Sequence, residues 1–175
     1  GVFVALPDEV QQGLRQRGWR FYTFIGAGGA RLMCAWDTQP ESVDALLADL
    51  DSAGVVQAVM HAESEGGEDA DALNAALLTV LDRHPERFVG IGCVDITVPF
   101  PTSIARQVQR IAEAGLLGIC LEPAFFGRDI DERHLYPMYS RAEELGLIVA
   151  VHTGITYSRL HPLRHERPEL LDQVA

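Results

Sequence analysis

Three junctions in this sequence share one pattern. Ser52-Ala53-Gly54-Val55, Glu113-Ala114-Gly115-Leu116 and Glu144-Leu145-Gly146-Leu147 each close a helical stretch on a glycine and pass straight into an apolar run. Glycine most readily takes the left-handed backbone that ends a helix. Helices joined to strands by such short links, in series, build βα units around a parallel sheet. The constraint leaves two architectures open, a doubly wound sheet and a (βα)8 barrel.

Apolar periodicity places the elements. Val43, Leu46, Leu47 and Leu50 predict a helix over 40–53, and Val55 to Met60 reads as a buried strand. The alternation continues with a helix over 68–84, a strand over 88–94, a helix over 101–114 and a strand over 116–121. A helix over 135–145, a strand over 147–151 and a helix beginning at Pro168 complete it. Residues 1–39 mix apolar patches with Gly26, Gly28 and Gly29 and are expected to be irregular. A chain of 175 residues is near the size at which domains cluster, about 100–150 residues, so a single domain over 1–175 is expected, with its βα units in 40–175.

Charge narrows the function. Fourteen basic residues face 25 acidic ones, a net charge of −11. Nucleic-acid binding requires a basic footprint, and an anionic membrane surface would repel this chain. No apolar run reaches the roughly 18 residues of a membrane span. Every basic residue is arginine, so no residue here can form a lysine Schiff base, be carbamylated to bridge two metals, or act as the lysine of a phosphate loop. Cys34, Cys93 and Cys120 are an odd set without a C-x-x-C pair, which suits a reducing cytoplasm rather than a disulfide framework. The start, Gly1-Val2-Phe3-Val4, lacks both the basic residues of a signal peptide and an initiator Met. The sequence is therefore expected to be part of a longer cytoplasmic protein.

In parallel α/β folds chemistry gathers at the C-terminal ends of strands. The four predicted strand ends carry His61, Asp95, Glu122 and His152. Side chains alternate faces along a strand. If His152 points inward, so do Ala150 and Ile148; if Glu122 does, so do Cys120 and Gly118; if Asp95 does, so do Cys93 and Ile91. His61 fits this parity less well, because its inward partners include Gln57. His152 is the strongest metal-ligand candidate, since neutral imidazole is the commonest protein ligand for zinc. Glu122 is a candidate ligand, general base or partner of an arginine. Asp95 is a candidate site residue or the cap of the next turn. The cysteines sit in or beside apolar runs and read as inert core thiols.

Other motifs fail. Gly26-Ala27-Gly28-Gly29 begins like a dinucleotide fingerprint, but Arg31 stands where the last glycine belongs, and no G-x-S-x-G is present. His161 and His165 have the spacing of a helical metal pair, yet Pro162 between them favours a loop.

Four stretches carry a resemblance. His84-Pro85-Glu86-Arg87-Phe88-Val89-Gly90-Ile91-Gly92 resembles the "HPERFVGFG" segment of the amidohydrolase-2 family, the branch that includes aminocarboxymuconate-semialdehyde decarboxylase. Glu143-Glu144-Leu145-Gly146-Leu147 with Val151-His152-Thr153-Gly154 is similar to its "AEELGLPVxxHTG" segment. Gly118 to Pro123 resembles "GIKLHP", with Cys120 and Glu122 in place of the lysine and histidine, and Leu50 to Val55 resembles "MDEAGI".

The resemblance implies an α/β fold, a (βα)8 TIM barrel of the metal-dependent hydrolase type, present here as about four βα units and incomplete. It implies one divalent metal, expected to be zinc. The family holds its metal with an H-x-H pair on strand one, the histidine of "HTG" and an aspartate on strand eight; only the third maps here, onto His152. Glu122 is expected to be catalytic, and Arg31, Trp36, His61, Asp95, Tyr157 and Arg159 to contact the substrate; of these, the resemblance places Arg31 where some members pair an arginine with the substrate carboxylate. The leading expectation is hydrolysis of a small carboxylated cyclic molecule, lactone or amide by a metal-activated water. Nonoxidative decarboxylation is the alternative, and a barrel that binds or scaffolds without catalysis is the rival from another class. A small-molecule substrate is the expected partner, with a homodimer as the expected assembly.

Overall fold

Residues 1–39, expected to be irregular, carry regular structure. The computed structural model describes residues 2–19, 21–23, 29–32, 40–64, 66–154 and 160–175. Within the N-terminal segment, β1 is Val2–Ala5, α1 is Asp8–Gln16, β2 is Phe21–Thr23 and β3 is Gly29–Leu32. Asp8 and Glu9 in the first turn of α1 suit the positive end of its dipole, and Gly18, at φ 93°, turns the chain away after it. The strands pair antiparallel, Phe21 opposite Leu32 and Val2 opposite Leu32 on the other side. Antiparallel pairs need no crossover helix and no long apolar run. Strands this short, set among glycines, leave little periodicity to read.

From Pro40 onward helix and strand alternate as the periodicity requires. The elements are α2 (Pro40–Ser52), β4 (Ala58–His61), α3 (Ala70–Leu81), β5 (Phe88–Cys93), α4 (Pro101–Glu113), β6 (Gly118–Leu121), α5 (Tyr136–Glu144) and β7 (Ile148–Val151). The stretch from Pro168 to Gln173, expected to open an α-helix, is a 3-10 helix.

The chain divides into two compact units. The first comprises residues 1–60 and 84–89. Its strands run in the order β2-β3-β1-β4, all antiparallel. Leu6, Leu14, Leu46, Leu50, Ala58 and Phe88 are among its buried apolar residues. The indole N–H of Trp19 donates to Asp49 (3.0 Å), and Arg17 pairs with the same carboxylate, joining the end of α1 to α2. The Arg87 guanidinium donates to the carbonyls of Val55 and Val56, both at 3.1 Å, and pairs with Asp51. That triple contact fixes the entry into β4.

The second unit comprises residues 61–83 and 90–175. Here β5, β6 and β7 are parallel: Cys93 is level with Cys120, and Cys120 with Ala150. The amide of Ala62 donates to Ile91, continuing the ladder along β5 from the end of β4. Ile104, Val108, Ile119, Leu135 and Met138 are fully enclosed between α4, α5 and the sheet. Each such side chain stabilises the fold by about 1.5–3 kcal/mol.

Two amides fix where the sheet stops. Asn74 on α3 donates to the Cys93 carbonyl (2.9 Å) and accepts from the Cys93 amide (2.8 Å). Gln107 on α4 treats Asp95 the same way, at 3.0 and 2.9 Å. Both use the donor and the acceptor of one side chain to satisfy backbone groups that have left the ladder. Gly118 marks a close approach, because a Cβ there would lie 2.2 Å from the Ile148 carbonyl oxygen. Among the described residues no helix is long and apolar enough to cross a membrane.

Candidate metal and strand-end site

Alternation along β6 separates two faces. Ile119 and Leu121 are buried against the helices, while Cys120 and, two residues on, Glu122 turn to the opposite face. The register carries this into β7. Cys120 is level with Ala150, and the His152 amide donates to Leu121 at 2.8 Å, which sets His152 beside Glu122 on that face. The parity read from sequence for Gly118, Cys120 and Glu122, and for Ile148, Ala150 and His152, is the parity of the register.

His61 joins Cys120 and Glu122. One donor atom from each of the three lies within 4.8 Å of the others. Gln57, which counted against His61, precedes the first residue of β4, so strand alternation does not extend to it. His61 and Glu122 are buried, and Cys120 is half-buried. The His61 Nδ1 lies 3.2 Å from the Ala62 carbonyl. A carbonyl oxygen only accepts, so Nδ1 carries the hydrogen and Nε2 keeps the lone pair.

A second group lies at the end of β7. Glu166 is 1 % exposed. Burial raises its pKa above the usual 4.5, and His152, a backbone hydrogen bond from Ala124, His165 and His161 oppose the rise. His152 Nε2 is 3.9 Å from its Oε2. The Glu166 carbonyl accepts from the Gly154 amide (2.7 Å), tying the loop after β7 to this segment. His165 is occupied on both ring nitrogens, by Asp129 at 2.7 Å and by the Nε–H of Arg164 at 3.1 Å. His161 rests against the Phe125 ring, 4.5 Å between centroids.

Asp95 stands apart from these groups. Its carboxylate accepts from the amide and the hydroxyl of Thr97, at 2.7 and 2.6 Å, closing a local turn. It borders a cleft of about 370 Å³ whose other charged walls are Glu68, Asp69, Asp71, Arg106 and Arg110. Arg31 lies on β3, where only its backbone is described. Trp36, Tyr157 and Arg159 fall outside the described residues.

Sequence reading passed over Cys120 and Glu166. The signal for Cys120 was available, since it lies two residues before Glu122 and shares its face. Glu166 is far from the strand ends in sequence and gave no signal. Cys93 is the inert thiol expected: it is 2 % exposed, and burial pushes its pKa up to about 12.

Residues 27–175 match the family model described as amidohydrolase. The chain belongs to the amidohydrolase family. Members of this amidohydrolase family are metal-dependent enzymes. Over 83 residues the chain is 31% identical to 2-amino-3-carboxymuconate-6-semialdehyde decarboxylase of Dictyostelium discoideum, which covers 47% of this chain and 23% of that enzyme. Over 50 residues it is 58% identical to the low specificity L-threonine aldolase of Pseudomonas aeruginosa, covering 29% of this chain and 14% of that one. Among solved structures, an uncharacterized TIM-barrel protein of Bordetella bronchiseptica superposes with a TM-score of 0.63 at 24% identity over 96% of this chain. The 5-carboxyvanillate decarboxylase of Sphingomonas paucimobilis does so with 0.53 at 25% identity, over 61% of this chain and 34% of that one. The chain spans about half the length of the Bordetella barrel, 54%. Its parallel strands β5, β6 and β7 are part of a (βα)8 barrel.

The metal that family membership implies can be tested against these residues. Of the ligand set named by the resemblance, this sequence supplies His152. The trio of imidazole, thiol and carboxylate at His61, Cys120 and Glu122 is chemically suited to a divalent cation.

Proposed function

We propose that this chain is part of a metal-dependent enzyme that removes a carboxylate group from a small carboxylated molecule without oxidation. The carrying observation is the 83-residue likeness to a decarboxylase, supported by the fold likeness to 5-carboxyvanillate decarboxylase. Hydrolysis, the leading expectation from sequence, becomes the second reading, because these relatives favour loss of carbon dioxide. The aldolase-like stretch supports no further activity: it matches 14% of that enzyme, and the sequence has no lysine for a Schiff base.

In this reaction the bond between the carboxylate carbon and the substrate carbon breaks. Its electron pair stays on the substrate carbon, which then takes a proton. A divalent metal supplies a Lewis acid that polarises the substrate's oxygens. His152 is the residue assigned to hold it, and Glu122 belongs to the reacting centre beside it. Arg31 is assigned to the substrate carboxylate, with Tyr157 and Arg159 as further substrate contacts.

The test uses the full-length, metal-loaded protein with carboxylated aromatic and muconate-type acids. Mass spectrometry and headspace analysis should show loss of one carbon dioxide per turnover. The His152→Ala variant should lose activity by at least about 100-fold. Products that have instead gained one water would replace this reading with hydrolysis.

A further inference from the structure

We propose that His61, Cys120 and Glu122 form a three-residue site for one thiophilic divalent cation of the zinc type, with Cys120 bound as thiolate. This set differs from the ligands that the family resemblance names, and the proposal does not depend on which reaction the enzyme performs.

Backbone geometry brings the three donors together. Cys120 and Glu122 are two residues apart on one face of β6 and its continuation. His61 belongs to the same compact unit as β6, and its neighbour Ala62 donates to Ile91 of β5. Alternate strands of a (βα)8 barrel fill the same interior layer, so His61 and Cys120 meet across the strand between them. The three donor atoms lie within 4.8 Å of one another. Around a tetrahedral zinc with bonds of 2.0–2.3 Å, donors sit roughly 3.3–3.8 Å apart. That spacing lies inside the 4.8 Å bound.

Chemistry selects the cation. A thiolate is a soft donor, imidazole is intermediate and carboxylate is hard. The mixture suits zinc and excludes magnesium and calcium, which take oxygen ligands. Three protein ligands leave the fourth tetrahedral position open, as in catalytic rather than structural zinc sites. The ring of His61 is already oriented for this role. Its Nδ1–H is donated to the Ala62 carbonyl, which directs the Nε2 lone pair to the ligand side, as the outer hydrogen bond of a metal-bound histidine does. Both His61 and Glu122 are more than nine-tenths buried.

The experiment loads the full-length protein, stripped with a chelator, with cobalt(II) as a spectroscopic substitute for zinc. One equivalent should produce a near-ultraviolet thiolate-to-cobalt charge-transfer band together with the intense visible bands of a four-coordinate ion. Cys120→Ser should abolish the charge-transfer band, while Cys93→Ser and His152→Ala keep it. His61→Ala and Glu122→Gln should weaken cobalt affinity at least about tenfold, with circular dichroism confirming that each variant is folded. In the unmutated protein, zinc should protect Cys120 from alkylation by iodoacetamide, a readout that needs no substitution. The proposal is overturned if the band is missing, if it survives Cys120→Ser, or if zinc leaves the alkylation rate of Cys120 unchanged. Because no readout depends on turnover, failure here leaves the decarboxylase reading standing, and failure of decarboxylation leaves this site standing.

Discussion

The Glu166 carboxyl is 1 % exposed, with His152 Nε2 3.9 Å from one oxygen and the Ala124 backbone beside it. Its pKa is raised above 4.5 by burial. A carboxyl whose folded-state pKa exceeds its unfolded value contributes stability that is fully present below pH 4.5 and is lost as pH rises through the folded-state value. Glu166→Gln keeps the shape and removes the charge. The variant should therefore gain stability over the parent at pH 8 and lose that advantage at pH 4, as read from urea midpoints at the two pH values. An equal difference at both would mean that the carboxyl is paired. The residue scale also shows where sequence reading ran out. Strand parity located Cys120 and Glu122 on one face, but the neutral reading of a cysteine in an apolar run concealed the first. Glu166 became visible only when the loop after β7 was seen to return under His152.

At the scale of elements, the βα alternation from Pro40 to Val151 was legible because its strands are apolar and its helices end on glycine. The observed strands are shorter than the runs that announced them. β4 begins at Ala58 rather than Val55, because the carbonyls of Val55 and Val56 are taken by Arg87. Residues 2–32 were illegible for the opposite reason: antiparallel strands of three and four residues carry too few alternations to register. Contacts between elements lead to two expectations. Gly118→Val should destabilise the protein by about 1–3 kcal/mol or more, since its side chain would meet the Ile148 carbonyl; a thermal melt unchanged from the parent would contradict the close approach. Asn74→Ala and Gln107→Ala should each cost about 1–3 kcal/mol, because each strands buried backbone groups of Cys93 or Asp95. Equilibrium urea unfolding measures both.

At the scale of the whole chain, 25 acidic residues against 14 arginines leave a strong like-charge field. Ion pairs such as Arg110–Asp71 and Arg141–Glu144 are exposed and contribute little. Self-repulsion is then the larger electrostatic effect, and salt screens it. The melting temperature should rise when sodium chloride is taken from about 10 mM to about 150 mM, over which the Debye length falls from roughly 30 to 8 Å. A fall would show that the ion pairs outweigh the repulsion.

The two amides on α3 and α4 have a consequence for how this face can change. They grip main-chain atoms only, from the helical side, and are indifferent to the side chains that Cys93 and Asp95 carry. The end of β5 is in this sense a socket that accepts interchangeable parts. Randomising position 95 should return many folded proteins, whereas randomising 74 or 107 should return few. New specificities would be sought by exchanging what the strand presents and leaving untouched the two residues that hold it in place.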